Sequence, residues 1–196
     1  VEDIFALNIG RQAIKLQTQN LQFSYDMISS NFELKHINQT TTQLGTFNLK
    51  DALGTQLVPS SLNYQIVKKQ SLLTLQNSDL EIIIDGEYVD QQKQVPCLFK
   101  ITFAFYKDGE LLNIQLNIHN PKAAEHNMGL WDLGDPNSFT FNSLAVKLDF
   151  IESENIRYST HLNDENTVAI EKSVRITQHA SGGENWQSPV HINMPL

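Results

Sequence analysis

Two stretches of the chain concentrate the side chains that do chemistry. The first, Asn120 to Asn137, reads NPKAAEHNMGLWDLGDPN and places His126, Trp131, Asp132 and Asp135 between Gly and Pro punctuation. It is long for a connection, since loops beyond about 12–15 residues are mostly binding loops, lids or packed Ω-loops. Trp131 offers a flat apolar ring, suited either to stacking on a sugar or to plugging the end of a β-structure. Asp132 and Asp135 supply strong acceptors that could take sugar hydroxyls, position a base or ligate Ca²⁺. Their spacing is not that of an EF-hand, so Ca²⁺ has no motif behind it and no cofactor or metal is expected. Either carboxylate could instead cap a turn by accepting backbone N–H groups two residues on. His126 and His119 are candidate bases or ligands, although an isolated histidine more often makes an ordinary hydrogen bond.

The second stretch, Gln178 to His191, reads QHASGGENWQSPVH. Asn185, Trp186 and His191 could hold carbohydrate through amide hydrogen bonds and an aromatic face, or belong to a docking tail. The glycines lack the GxxxxGK[ST] frame of a phosphate loop, and Ser181 lacks the GxSxG frame of a nucleophile elbow.

The elements that must position these residues are strands. Period-two alternation recurs through the chain, as in Leu21-Gln22-Phe23-Ser24-Tyr25, while apolar residues rarely repeat at helical spacing. An all-β antiparallel barrel or sandwich with little helix follows. The sharpest local expectation is a hairpin from Leu98 to His119 turning at Asp108-Gly109, the residue pair a type I′ turn favours. Its register sets Phe105 opposite Leu112, Phe103 opposite Ile114, Ile101 opposite Leu116 and Phe99 opposite Ile118 on a core face. Lys100 opposite Asn117 and Leu98 opposite His119 then share the other face. In the strand from Ser138 to Phe150, a bulge near Asn142-Ser143 would turn Phe139, Phe141, Leu144, Val146, Leu148 and Phe150 inward together.

The chain has 196 residues, 40% hydrophobic and 18% charged, which suits a single β domain over 1–196. Acidic residues number 22 against 14 basic ones, a net charge of −8 that disfavours nucleic acid. No run approaches the roughly 18 apolar residues of a helical membrane span. The one cysteine, Cys97, permits no intrachain disulfide. A start at Val1 suggests a processed chain or an excised domain.

The segments HNPKAAEHNMGLWDLGDPNSFTF, from His119, and SGGENWQSP, from Ser181, resemble the N-terminal region of exo-rhamnogalacturonan lyase-like proteins. SDLEIIIDGEY, ending at Tyr88, is similar to the matching strand order. The resemblance implies a RIFT barrel that precedes an α-helical toroid and further β structure in a polysaccharide lyase. It also implies an acidic, pectic polysaccharide or oligosaccharide as partner, C-terminal domains of the same protein beyond this chain, and a secreted or periplasmic setting. β-Elimination on a uronate needs a cation on the carboxylate, a base at C5 and an acid at the leaving oxygen. Arg157, Arg175, Lys100 and Lys122 are candidate cations, and His126 and His119 candidate bases, but no spacing gathers them. The expected function is therefore a domain that contributes structure or cleft loops rather than complete catalysis. The alternatives are a free-standing carbohydrate-binding module and a structural or interaction domain.

Overall fold

The computed structural model describes residues 6–37, 42–68, 79–106, 111–123, 125, 137–151, 156–159 and 167–176. The chain forms two compact units, 1–153 and 154–196. In the first, β1 (Ala6–Ile9), β2 (Ala13–Gln17), β3 (Leu21–Asp26), β4 (Phe32–His36) and β5 (Thr42–Asp51) follow one another as an antiparallel meander. Then β6 (Val58–Lys68), β7 (Leu80–Val89), β8 (Cys97–Phe105) and β9 (Leu112–His119) make a second, four-stranded meander. Strand β10 (Phe141–Ile151) returns to the first sheet and pairs with β5, completing six strands. All these pairings are antiparallel, and no helix occurs among the described residues. No membrane-spanning helix is present among them either.

Alternation explains how the sheets face one another. Ile14, Leu16, Leu21, Phe23, Tyr25, Phe32, Leu34, Phe47 and Leu49 of the six-stranded sheet are buried, as are Leu80, Ile82, Ile84, Tyr88, Cys97, Phe99, Ile101, Phe103 and Phe105 of the other. The intervening residues are mostly polar, with Ile83 and Leu98 as half-buried exceptions. The Phe103 ring lies 4.8 Å from that of Phe23, 5.7 Å from Tyr25, 5.2 Å from Phe32 and 6.2 Å from Phe47, all across the sheet interface. Such tilted and edge contacts add to the hydrophobic burial that joins the layers.

Three aspartates end strands in the same way. Asp26 Oδ1 accepts the N–H of Ile28, Asp51 Oδ1 those of Leu53 and Thr55, and Asp90 Oδ1 those of Gln92 and Gln94. Each carboxylate thereby satisfies backbone donors that the ladder leaves behind.

The hairpin register matches the sequence expectation pair for pair, from Phe105 opposite Leu112 to Leu98 opposite His119; its Asp108-Gly109 turn lies outside the described residues. The bulge in β10 also falls where parity required it, between Phe141 and Ser143. Two corrections follow. Ile114 and Leu116 are half-buried rather than fully buried, because β9 is the sheet's edge. Phe141, Val146 and Leu148 are exposed, because β10 is likewise an edge and the opposite layer does not cover it. The two sheets form a sandwich, not a closed barrel: β1 and β10 bound one, β6 and β9 the other.

In the second unit, β11 (Arg157–Tyr158) pairs with β12 (Val168–Ala169).

Candidate functional site

The outward face of the four-stranded sheet holds a groove of about 760 Å³. Its floor is a set of cross-strand rows. One runs Asn63, Asp85, Lys100, Asn117 across β6, β7, β8 and β9; the next runs Ser60, Glu87, Leu98, His119. Directly opposed side chains in such rows stand about 4.5–5.5 Å apart at Cβ, and diagonal ones about 7–8 Å, which puts Lys100 and His119 within reach of one sugar ring.

A bulge in β6 makes the two rows possible. Ser60 and Asn63 are three apart and would normally face opposite ways, yet both lie on this face. Ser61 and Leu62 together oppose the single residue Gly86, with Ser61 at φ 54°. That arrangement brings β6 close to β7: a Cβ on Gly86 would sit 2.8 Å from the Ser60 carbonyl oxygen. Glycine is the residue that fits there.

Among the described residues, no hydrogen bond or ion pair ties the side chains of Asp85, Glu87, Lys100 or His119 to another group. Asn117 Oδ1 accepts a long hydrogen bond from Gln115 Nε2 at 3.5 Å, and Asn63 Nδ2 donates to the Ser61 carbonyl at 3.3 Å. Both amides thus keep capacity for a ligand. The groove offers one cation, two carboxylates, an imidazole and two amides, a set suited to hydroxyl and carboxylate recognition. No cluster of three metal-ligating side chains occurs among the described residues.

A shallow depression of about 610 Å³ also lies on the outer face of the six-stranded sheet, with Lys15, Gln22, Glu33 and Lys35 along it. Glu33 shares a row with Lys15, with Ser24 between them, and is two residues from Lys35 along β4.

The groove adjoins the neck of the long loop. His119 ends β9, and Asn120 Nδ2 donates to the Asn137 carbonyl at 2.8 Å while Asn137 Nδ2 donates to the Ala123 carbonyl at 2.8 Å. Asn120 Oδ1 also accepts the Lys122 N–H at 3.0 Å. The two ends of the 120–137 segment are therefore clasped together, as an Ω-loop requires. His126, Trp131, Asp132 and Asp135 lie outside the described residues, as do Asn185, Trp186 and His191.

Of the residues read from sequence as candidates for chemistry, the fold brings together Lys100 and His119. Lys122 is exposed beyond the end of β9. Arg157 and Arg175 belong to the second unit, where the Arg157 guanidinium is held by the Thr167 hydroxyl and donates through Nη2 to the Thr167 carbonyl at 2.7 Å. Arg157 thus clips its own hairpin. Asn63, Asp85 and Glu87 escaped the sequence reading; extending the alternation of the β8 and β9 hairpin to its neighbours would have found Asp85 and Glu87.

No protein-family model, curated protein or solved structure matches the chain.

Proposed function

We propose that this chain is a carbohydrate-binding β domain that takes an acidic glycan along the outward face of β6 to β9, as part of a polysaccharide-lyase-like protein. The observation that carries this reading is the Asn63, Asp85, Lys100, Asn117 row, whose one cation and flanking acceptors and donors are not spent on one another. Lys100 receives a uronate carboxylate, Asn63 and Asn117 bridge ring hydroxyls, and Asp85 accepts from a hydroxyl on the neighbouring sugar. His119, one row along, contacts the same chain of sugars.

Binding without turnover is the expected activity. Lys100 and His119 are both exposed, so neither is desolvated enough to sharpen the electrostatics that stabilise an enolate-like transition state. An open sheet face also buries little of a ligand, which sets the affinity near about 10⁻³–10⁻⁴ M. Calorimetric titration with a pectic oligosaccharide tests the reading. Lys100→Ala should weaken binding about tenfold, and added salt should weaken the wild type by screening the same ion pair. Unchanged affinity in the variant would contradict it, as would salt-insensitive binding.

A further inference from the structure

The edge of the six-stranded sheet carries a second message, independent of the sugar face. Strand β10 pairs without interruption to β5 from Ser143 to Ile151, contains no proline, and has no second neighbour among the described strands. Its Val146 and Leu148 sit opposite Phe47 and Gly45, on the side that faces the core, yet they are 44% and 41% exposed. Among the described residues the other edges differ: β1 spans only Ala6–Ile9, β6 carries Pro59 and the bulge, and the apolar residues of β9 are half-buried. An open, long edge of this kind is a template for another strand.

Charge decides which strand. On the opposite face of β10, Lys147 and Asp149 flank Leu148, and within one chain Lys147 Nζ lies 2.7 Å from Asp149 Oδ2. A lone edge lysine would repel a second copy. Here its counter-charge is two residues away, so one antiparallel register satisfies both.

We propose that a second copy of this chain pairs antiparallel along β10 about a two-fold axis at Leu148. Lys147 of each copy then faces Asp149 of the partner subunit, Leu148 faces Leu148 of the partner subunit, and Val146 faces Phe150 of the partner subunit. Apolar meets apolar on the core side and opposite charges meet on the other. Shifting the axis by one residue sets Lys147 against Lys147 or Asp149 against Asp149, and like charges directly opposed are destabilising. The two six-stranded sheets become one continuous sheet across the dyad.

Sedimentation equilibrium of the whole chain over a wide concentration range, with a cysteine scan of β10, tests this. The wild type should show a reversible monomer–dimer equilibrium. Lys147→Asp should raise the dissociation constant about tenfold or more, and adding Asp149→Lys to it should restore the wild-type value. Under mild oxidation Leu148→Cys should cross-link to its own copy, because residues paired across the axis are about 4.5–5.5 Å apart at Cα, within disulfide reach. Val146→Cys should not, and native Cys97 is fully buried. Circular dichroism of each variant confirms that it folds. A chain monomeric at every concentration, a charge swap that fails to restore dimerisation, or cross-linking at Val146 in place of Leu148 would overturn the proposal.

Discussion

Individual side chains in this protein matter through what burial denies them. Tyr25 is fully buried in the core, and its hydroxyl is hydrogen-bonded to that of Ser30, a buried residue in the left-handed region at φ 57°. Burial pushes the Tyr25 hydroxyl up to about 12 from 10.0. Ser30→Ala removes the partner and leaves a buried donor unmet, which costs about 1–3 kcal/mol. A denaturant midpoint lowered accordingly is the expected result, and an unchanged midpoint would remove the pair from the account. Burial likewise pushes the Cys97 thiol up to about 11 from 9.0. Below pH 9.0 folded and unfolded chains both keep the proton, and stability is unaffected by this group. Between 9.0 and about 11 the unfolded chain releases it while the folded chain does not, so stability falls as pH rises through that window. Urea midpoints measured from pH 8 to 10.5 should therefore drop more steeply in the wild type than in Cys97→Ala. Cys97 was visible in the sequence as a lone thiol; its burial depended on alternation across a whole strand.

At the level of elements, local rules carried far. The β8 and β9 register was legible because the sequence carries a single turn signal between the two strands, Asp108-Gly109, and a one-residue slip would have turned Phe99, Ile101, Phe103 and Phe105 outward. The β10 bulge was legible for the same reason, as a parity change between Phe141 and Leu144 that only an extra residue reconciles. Alternation names a face, but it does not say whether another layer reaches over it, and so Ile114, Val146 and Leu148 came out less buried than their pattern suggests. The β6 bulge at Ser61 and Leu62 left no mark at all, since the Gly86 it requires sits on the neighbouring strand. Gly45 is a comparable case: it pairs with Phe32, whose ring lies over it, and a Cβ there would fall 1.9 Å from Phe32 Cζ. Gly45→Ala must displace a ring that packs on Phe23, Phe47 and Phe103, and should cost about 1–3 kcal/mol by thermal or urea unfolding. A neutral effect would mean that the β4 and β5 pairing yields more easily than this packing allows.

For the molecule as a whole, the sandwich separates its tasks by surface. The inner faces are spent on the Phe103 cluster, the outer face of β6 to β9 presents the polar groove, and the β10 edge is left for a second copy. The hairpin half of the groove, Lys100, Asn117 and His119, was readable from the chain; the other half was not, because Asp85 and Asn63 come from β7 and β6, and Asn63 reaches this face only through a bulge. The most direct measurement is a nitrogen-15 amide map of the chain titrated with an acidic pectic oligosaccharide. Saturable shifts should concentrate at Asn63, Asp85, Lys100, Asn117 and His119, with Lys15, Gln22 and Lys35 on the opposite layer unmoved. An absence of shifts at about 10 mM ligand, where even a weak site of about 4 kcal/mol fills, or shifts confined to the six-stranded sheet, would contradict the assignment of this face.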